Sequence, residues 1–269
     1  LVALGPAFVA ASRAAFAGEH FTAAASLALL VPKWLPAPIF VAYFVGCAHL
    51  AAASSFAAKR LVRWSAISLA VMFALFVLLM DLPGASQHPA SRIKWILVAR
   101  ETTFAIGALA LYGSAALGPR ARASATIAEI ARSWTGFVLI FYGAQHLLNP
   151  EYSPGVPDSM LTAAWVPVPH AIAYATGILL IGFGIAMFVR KYAAAAAARC
   201  GLLMLLLTIT LYVPQCFLAR TVADQVNAIN FVFDTLLFSG MMLVIGGLCG
   251  LTWRRPESPM FRQTTGAPE

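Results

Sequence analysis

The sequence predicts an all-α membrane protein in which eight transmembrane helices form two tandem four-helix bundles, related as a parallel repeat. Of the 269 residues, 61% are hydrophobic and 10% are charged, whereas an ordinary soluble domain has about 25% charged residues. Several apolar runs approach the roughly 20 residues that a helix needs to cross a bilayer, and one motif recurs 131 residues later. These features exclude a soluble enzyme, a disordered chain and a secreted disulfide scaffold. The runs do not alternate, which excludes an outer-membrane barrel.

Each of the first four helices fills one apolar stretch, and helix 2 begins at a pair of prolines, which the first helical turn tolerates. These helices are expected over residues 1–19, 37–58, 61–81 and 95–114. Helices 5 to 8 repeat this order, again with two prolines at the start of the second member. They are expected over residues 134–149, 168–190, 195–218 and 228–251. The domains are then a first unit (1–118), a cytoplasmic linker (119–133), a second unit (134–252) and a polar cytoplasmic tail (253–269).

The basic residues predict the orientation of the chain in the membrane. With eight spans, both termini lie on one side, and most basic side chains fall on that side. They are Lys59, Arg60, Arg63, Arg120, Arg122, Arg132, Arg190, Lys191, Arg199, Arg254, Arg255 and Arg262. The opposite side has only Lys33, Arg92, Lys94 and Arg220. Positive charge favours the cytoplasmic side, so both termini are expected in the cytoplasm of a cell with an inner (plasma) membrane.

All six tryptophans fall at expected helix boundaries, where the indole ring prefers to lie. Trp34, Trp95 and Trp165 fall at outer boundaries, and Trp64, Trp134 and Trp253 at inner ones. The net charge of +8 is therefore interpreted as membrane orientation, and no nucleic-acid partner is expected. One alternative concerns the start of the chain: residues 1–17 end in Ala-Phe-Ala and could be the end of a signal peptide.

An internal duplication underlies the two predicted bundles. Trp34-Leu-Pro-Ala-Pro38 recurs as Trp165-Val-Pro-Val-Pro169. Further matches at or near this spacing are Lys59-Arg60 with Arg190-Lys191, Pro83 with Pro214, His20 with His146, and Glu101 with Asp234. Because four helices return the chain to its starting side, the two units should face the same way, about an axis along the membrane normal. The alternative is that each Trp-x-Pro motif is merely an interfacial helix start.

At these residues the chain resembles the DoxX/DoxD-like membrane proteins. The resemblance is carried by His20-Phe21, Val31-Pro-Lys-Trp-Leu-Pro36, Tyr43 and Gly46 in the first unit. The second unit carries it in His146-Leu147, Pro154-Gly-Val-Pro157 and Trp165-Val-Pro167. The usual family module is a single four-helix unit, whereas two are fused here. Leu180 stands where the first unit has His49, so a site in one unit could be lost in the other.

The resemblance implies a membrane subunit of a quinone-linked oxidoreductase complex, acting as an anchor and contributing a quinone-adjacent or proton-relay site. Some family members are similar to the membrane subunit of thiosulfate:quinone oxidoreductase, and others accompany redox or thiol-stress systems. The electron carriers would lie in other chains, because no haem, flavin or iron–sulfur ligation pattern is present. The sequence leaves open a non-catalytic structural or assembly subunit and a small-molecule transporter built on parallel repeats.

Ionisable residues inside the expected spans are the candidate site, since such residues usually face a protein interior or a wet cavity. We expect Arg13, His20, His49 and Glu101 to form a polar cluster in the first unit. A weaker counterpart in the second unit would contain Gln145, His146 and Asp234. Glu101, His20 and His49 are the candidate proton relay to a quinone headgroup. The alternative is an ion-pair and hydrogen-bond network that holds the helices together.

Other chemistry has little support in the sequence. The cysteines Cys47, Cys200, Cys216 and Cys249 are scattered and form no Cys-x-x-Cys motif, so a thiol–disulfide relay is not expected. No metal site is expected, because no helix carries histidines four residues apart. We expect no covalently bound cofactor, with quinone as the candidate non-covalent one. The expected partners are the lipid bilayer, other subunits of a membrane complex and a small hydrophobic ligand.

Overall fold

The computed structural model describes residues 1–116, 121–156 and 159–253. Within these ranges the protein is all-helical, and the only β-type pairing there is an isolated bridge between Tyr152 and Leu161. The α-helices in chain order are α1 Gly5–Thr22, α2 Ala24–Leu27, α3 Pro38–Ala58, α4 Val62–Phe76, α5 Leu82–Gln87, α6 Arg92–Ala115, α7 Ala121–Leu148, α8 Pro169–Met187, α9 Arg190–Leu207, α10 Val213–Leu218 and α11 Val222–Trp253.

Six helical stretches in the described part of the chain are long and apolar enough to cross a membrane, which indicates a multi-pass membrane protein. They are Pro38–Ala58, Val62–Gln87, Arg92–Ala115, Pro169–Met187, Arg190–Leu218 and Val222–Trp253. The other two expected spans form α1 and α7, which do not meet this criterion. Helix α1 is too polar, because its 18 residues include Arg13, Glu19 and His20, and α7 begins with a charged segment that contains Glu129 and Arg132.

Four expected helix boundaries were wrong by five residues or more. Helix α9 begins at Arg190 rather than at 195, and α11 begins at Val222 rather than at 228. The third helix does not end at residue 81: a π-helical turn, Val77–Asp81, continues directly into α5. Pro83 lacks the backbone N–H that an α-helix would use and its ring would clash with the preceding turn, so the wider turn lets the chain remain helical. The segment expected as a linker, 119–133, is helical from Ala121 onward. Of the polar tail expected from residue 253, residues 254–269 lie outside the described ranges.

Several local features occur in pairs 131 residues apart. The π-helical turn Val77–Asp81 is matched by Thr208–Tyr212, and the short helix after it, Leu82–Gln87, is matched by Val213–Leu218. Ala37 and Val168, which precede the first prolines of α3 and α8, both adopt left-handed backbone conformations, with φ of 53° and 43°. Few residues other than glycine adopt this conformation, so its recurrence reflects the same chain reversal into both helices.

The helices pack as two similar sets. In the first set, α1 packs on α3, α3 on α4, and α4 on α6. In the second, α7 packs on α8, α8 on α9, and α9 on α11. Helix α11 also contacts α1, α6 and α7, and it is the most deeply buried of the six apolar helices. It is therefore the central helix that joins the two sets.

Contacts along α11 give the relative directions of the helices. Helix α1 runs antiparallel to α11, because Asn230 bonds Glu19 near the end of α1 while Val244 meets Gly5 at its start. Helix α6 runs parallel to α11, with Arg100 at Asp234 and Gly113 at Leu248.

Helix α7 in turn runs antiparallel to α6, as two hydrogen bonds show. The Trp134 indole donates to the Thr103 hydroxyl, and the Tyr142 hydroxyl donates to the Ile96 carbonyl. The first helices of the two sets, α1 and α7, consequently point in the same direction, and so do the last helices, α6 and α11.

Candidate functional site

A group of ionisable side chains lies between α1, α3, α6 and α11. We call it the polar cluster, and its members are Arg13, His20, His49, Arg100, Glu101 and Asp234. Four of them were expected to lie together in the first unit. Asp234 was expected elsewhere, and Arg100 was not among the candidates.

Arg13 is the most deeply buried charged residue of the polar cluster, with 2% of its surface exposed. Its Nη1 donates a long hydrogen bond of 3.4 Å to Nδ1 of His49. The guanidinium carbon lies 4.7 Å from the ring centre of Phe16 and 4.9 Å from that of Phe73, within the range of cation–π attraction. The buried Nε atom has no hydrogen-bond partner among the described residues. A guanidinium normally uses its donors when buried, so this Nε is an unsatisfied donor within the described structure.

The two histidines of the first unit extend the cluster toward the helix ends. His20 Nδ1 donates to the Phe16 carbonyl over 2.8 Å, and this bond leaves Nε2 as the acceptor of the neutral ring. The rings of His20 and His49 meet edge to face, with centroids 5.2 Å apart. Gly46 permits this contact, because a Cβ atom there would lie 2.9 Å from the His20 Cβ. His49 is buried and His20 is partly exposed, so the pair leads from the surface to Arg13.

Arg100 joins the two sets of helices. Its Nη1 donates to Asp234 of α11 over 2.6 Å, and its Nη2 and Nε donate to Glu101 over 2.9 and 3.1 Å. Glu101 and Asp234 are also the acidic groups whose charges act on Arg13. The polar cluster thus balances two guanidinium groups with two carboxylates, which is the condition for keeping charges out of water.

The expected counterpart in the second unit is not assembled, because its three residues have separate surroundings. Asp234 pairs with Arg100 instead of His146. The Gln145 amide oxygen accepts from Asn149. His146 is fully buried and its Nε2 accepts from the Gly155 backbone N–H over 3.3 Å. Repeat spacing places Leu139 and Leu180 where the first unit has Arg13 and His49, so the second unit lacks the counterparts of these two basic side chains.

The loop after α7 covers this end of the second unit. The Tyr212 hydroxyl, at the end of the second π-helical turn, donates to the carbonyls of Ser153 and Pro154. Gly155 has φ of 145°, and a Cβ there would lie 2.7 Å from the Tyr212 hydroxyl. Arg92 at the start of α6 stacks on the Tyr152 ring at 4.2 Å. The loop is therefore anchored to both sets of helices.

The sequence signal for Arg100 was present but ambiguous. An arginine beside Glu101 in an apolar helix predicts a buried pair, yet adjacent residues on a helix do not face each other in the usual geometry. The pairing here depends on Asp234, which draws the guanidinium between the two carboxylates. Only the packing of α6 against α11 reveals this partner.

Two cavities in the described part of the chain lie away from the polar cluster. One lies between α7, α9 and α11 and is lined by Ala125, Ala128, Glu129, Arg132, Arg190, Ala193, Cys249, Thr252 and Trp253. The other lies at the turn from α3 to α4 and is lined by Lys59, Leu61, Val62, Arg63, Trp64 and Ala115. Over the described ranges, no group of three or more His, Cys, Asp or Glu side chains could hold a metal ion, and the four cysteines are unpaired thiols.

Comparisons with known proteins were negative: no family model, no curated protein and no solved structure matches this chain.

Proposed function

We propose that the chain is a DoxX-like multi-pass membrane protein made of two tandem four-helix units with the same orientation, so that α1 and α7 also cross the membrane. The paired features 131 residues apart support the duplication. The common direction of α1 and α7, and of α6 and α11, supports a parallel rather than an inverted repeat. The bias of basic residues supports an inner membrane with both termini in the cytoplasm. Family membership rests on the motif residues alone.

We further propose that it serves a membrane-bound, quinone-linked redox complex, as an anchor whose first unit offers a quinone-adjacent site. The observation that carries this proposal is the buried Arg13, whose Nε lacks a partner while Phe16 and Phe73 flank its guanidinium. A buried donor without an acceptor costs free energy, which a carbonyl oxygen of a bound ligand would recover. The phenyl rings suit a planar, apolar ring beside that carbonyl.

The charge balance of the polar cluster favours a neutral ligand over an anion. Arg13 and Arg100 are already offset by Glu101 and Asp234. An anionic ligand would add an uncompensated buried negative charge, which is strongly unfavourable. A quinone accepts hydrogen bonds through its carbonyl oxygens without bringing charge. A quinone could therefore accept a hydrogen bond from the unpaired Arg13 Nε without changing the net charge of the polar cluster.

His20, His49 and Glu101 would supply protons when the quinone is reduced, and other subunits of the complex would supply the electrons. His20 has the exposure needed to exchange a proton with water, and its ring contacts that of His49, which in turn contacts Arg13. Imidazole suits this role because one of its two ring nitrogens can accept a proton while the other donates one. The second unit would be a scaffold, because Leu139 and Leu180 replace the corresponding polar residues.

Binding of decyl-ubiquinone to the purified full-length chain in detergent tests the site. We expect saturable binding that is weakened at least about tenfold in Arg13→Met, the loss of one buried charged-donor hydrogen bond. Arg220→Gln, an exposed arginine in the loop before α11, is the matched control and should bind normally. Arg13→Lys, which retains a charge, guards against misfolding and should recover part of the affinity. Absence of binding to the unaltered chain, or equal affinity in Arg13→Met, would reject the site.

The anchoring role is tested by isolating the tagged chain from native membranes under mild conditions. We expect subunits that carry flavin, haem or iron–sulfur groups to co-purify with it. If the chain is isolated only with itself, the redox-complex proposal is wrong.

A structural or assembly subunit is the second candidate function. The observation that favours it is the contact of Arg100 with carboxylates of both units, since such a network can fix helix packing without any chemistry. Replacement of Glu101 by Gln distinguishes the structural role from the proton-relay role. Unchanged turnover in an intact complex would favour the structural role, whereas lost turnover in an intact complex would favour the relay.

A further inference from the structure

We propose that the turn between α3 and α4 binds the phosphate headgroup of an anionic phospholipid through Lys59 and Arg63, with Trp64 beside the lipid. This inference rests on the membrane embedding proposed above and concerns the end of the first unit away from the polar cluster. It is independent of quinone binding.

The turn forms an open cavity at the predicted inner membrane boundary. Helix α3 ends at Ala58 and α4 begins at Val62, and both Lys59 and Leu61 between them have left-handed backbones, with φ of 53° and 56°. This tight reversal places the side chains of Lys59 and Arg63 around one cavity, with Trp64 and Ala115 completing its wall.

The cavity is positively charged and lacks a protein counterion. Within the described parts of the chain, neither Lys59 nor Arg63 forms an ion pair. Among the residues that the structure describes, no acidic side chain lines the cavity. A phosphate group would supply the missing negative charge, as anionic headgroups do for basic pockets at membrane surfaces.

The equivalent basic residue of the second unit has a carboxylate partner within the protein. Arg190 occupies the position 131 residues after Lys59, and its Nε donates to Glu129 over 2.8 Å. Glu129 also pairs with Arg132, so the second unit carries its own anion at this place. The spacing from His20 to His146 aligns Glu129 with Ala3. The first unit therefore has the basic group without a carboxylate partner. An anionic ligand from outside the protein would supply the negative charge that Glu129 supplies in the second unit.

Trp64 favours a lipid over a soluble phosphate as the source of the anion. Its side chain is 72% exposed and lies at the predicted inner boundary. Indole rings settle at headgroup depth because one edge is polar and the rest is apolar. A phospholipid would contact the cationic groups with its phosphate and Trp64 with its glycerol and upper acyl region.

Native mass spectrometry of the full-length chain in neutral detergent, titrated with phosphatidylglycerol or phosphatidylcholine, tests the proposal. We expect a preference for phosphatidylglycerol that falls about thirtyfold in Lys59→Gln/Arg63→Gln, as expected for two basic groups near a headgroup. The matched control Arg190→Gln/Lys191→Gln removes the same charge from the second unit and should change the affinity less than about twofold. Lys59→Arg/Arg63→Lys keeps the charge and should retain binding, which guards against a folding defect.

Three results would overturn the proposal. One is equal affinity of the unaltered chain for the two lipids, and another is an equal loss of affinity in both charge-removing variants. The third is displacement of phosphatidylglycerol by equimolar glycerol phosphate, which would indicate a soluble-anion site. Decyl-ubiquinone binding by Lys59→Gln/Arg63→Gln should be normal, so this proposal and the quinone proposal can fail separately.

Discussion

Arg100 of α6 donates a 2.6 Å hydrogen bond to Asp234 of α11, a residue 134 positions later in the chain. Arg100 also holds Glu101, which the internal duplication aligns with Asp234. One guanidinium therefore links equivalent carboxylates of the two proposed units. The contact lies where the two sets of helices meet, so the polar cluster also helps to hold the two sets together.

Replacement of Asp234 by Asn should destabilise the protein. The carboxylate is buried, and its loss leaves Arg100 with a single partner in a poorly solvated place. We expect a loss of about 3 kcal/mol in the free energy of unfolding, the usual result of breaking a buried pair. Unfolding in detergent measures it, with the exposed Glu151→Gln as the control. If Asp234→Asn and Glu151→Gln are equally stable, the link between the units contributes nothing.

The close packing of α7 on α8 should make the stability of the protein sensitive to the size of the side chain at the contact. A Cβ at Gly143 would lie 2.6 Å from the Gly177 carbonyl oxygen, whereas nothing lies within 4 Å of a Cβ at Gly182. We expect Gly143→Ala to lower the free energy of unfolding by about 1–3 kcal/mol, as overpacking does. Gly182→Ala, on the neighbouring open face, should be neutral or stabilising. The same effect in both variants would show that these helices do not meet as described.

The ion pairs of Glu129 should give the stability a specific pH dependence. Glu129 lies on the charged start of α7, before the expected span, and the hydrogen bond from Arg132 lowers the pKa of its carboxyl below the ordinary 4.5. A carboxyl with a lowered pKa stabilises the folded state above that ordinary value, and this contribution disappears as the pH falls through the folded-state pKa. Glu129→Gln should therefore lower Tm at neutral pH.

The difference in Tm between the unaltered chain and Glu129→Gln should shrink as the pH falls below about 4.5. Unfolding curves recorded across this range measure it, and Ser114→Ala, which removes a hydroxyl without a titrating group, provides a pH-independent reference. A difference that stays constant down to the lowest pH would mean that the carboxylate charge is not what stabilises this end of the helix.

Apolar runs and prolines predicted most of the helices, because burial in a bilayer imposes length and hydrophobicity directly on the sequence. The expected helix over 37–58 is α3, which begins one residue later and ends at the same residue. Prediction was poorer where a proline lies within a helix. The third helix was expected to end at residue 81, whereas the π-helical turn Val77–Asp81 lets it continue through Pro83. A wider turn depends on packing around the proline and leaves no mark in periodicity.

The membership of the polar cluster was only partly predictable. Burial of ionisable residues is costly, so their presence in apolar segments identified Arg13, His20, His49 and Glu101 as members. Sequence spacing could not reveal that Asp234 points to Arg100, because that contact depends on how α11 lies against α6. The unmet donor of Arg13 is likewise a property of its surroundings, which the residue type alone does not determine.

The side of the membrane on which equivalent positions lie tests the central claim, that two units of the same orientation make up the protein. Single cysteines would be introduced as Lys33→Cys, Ala164→Cys, Arg60→Cys and Lys191→Cys in a chain without its four native cysteines, and labelled in intact cells with a maleimide that cannot cross the inner membrane. The account predicts labelling of positions 33 and 164 from outside, and of 60 and 191 only after permeabilisation. Labelling of 33 and 164 from opposite sides would contradict it.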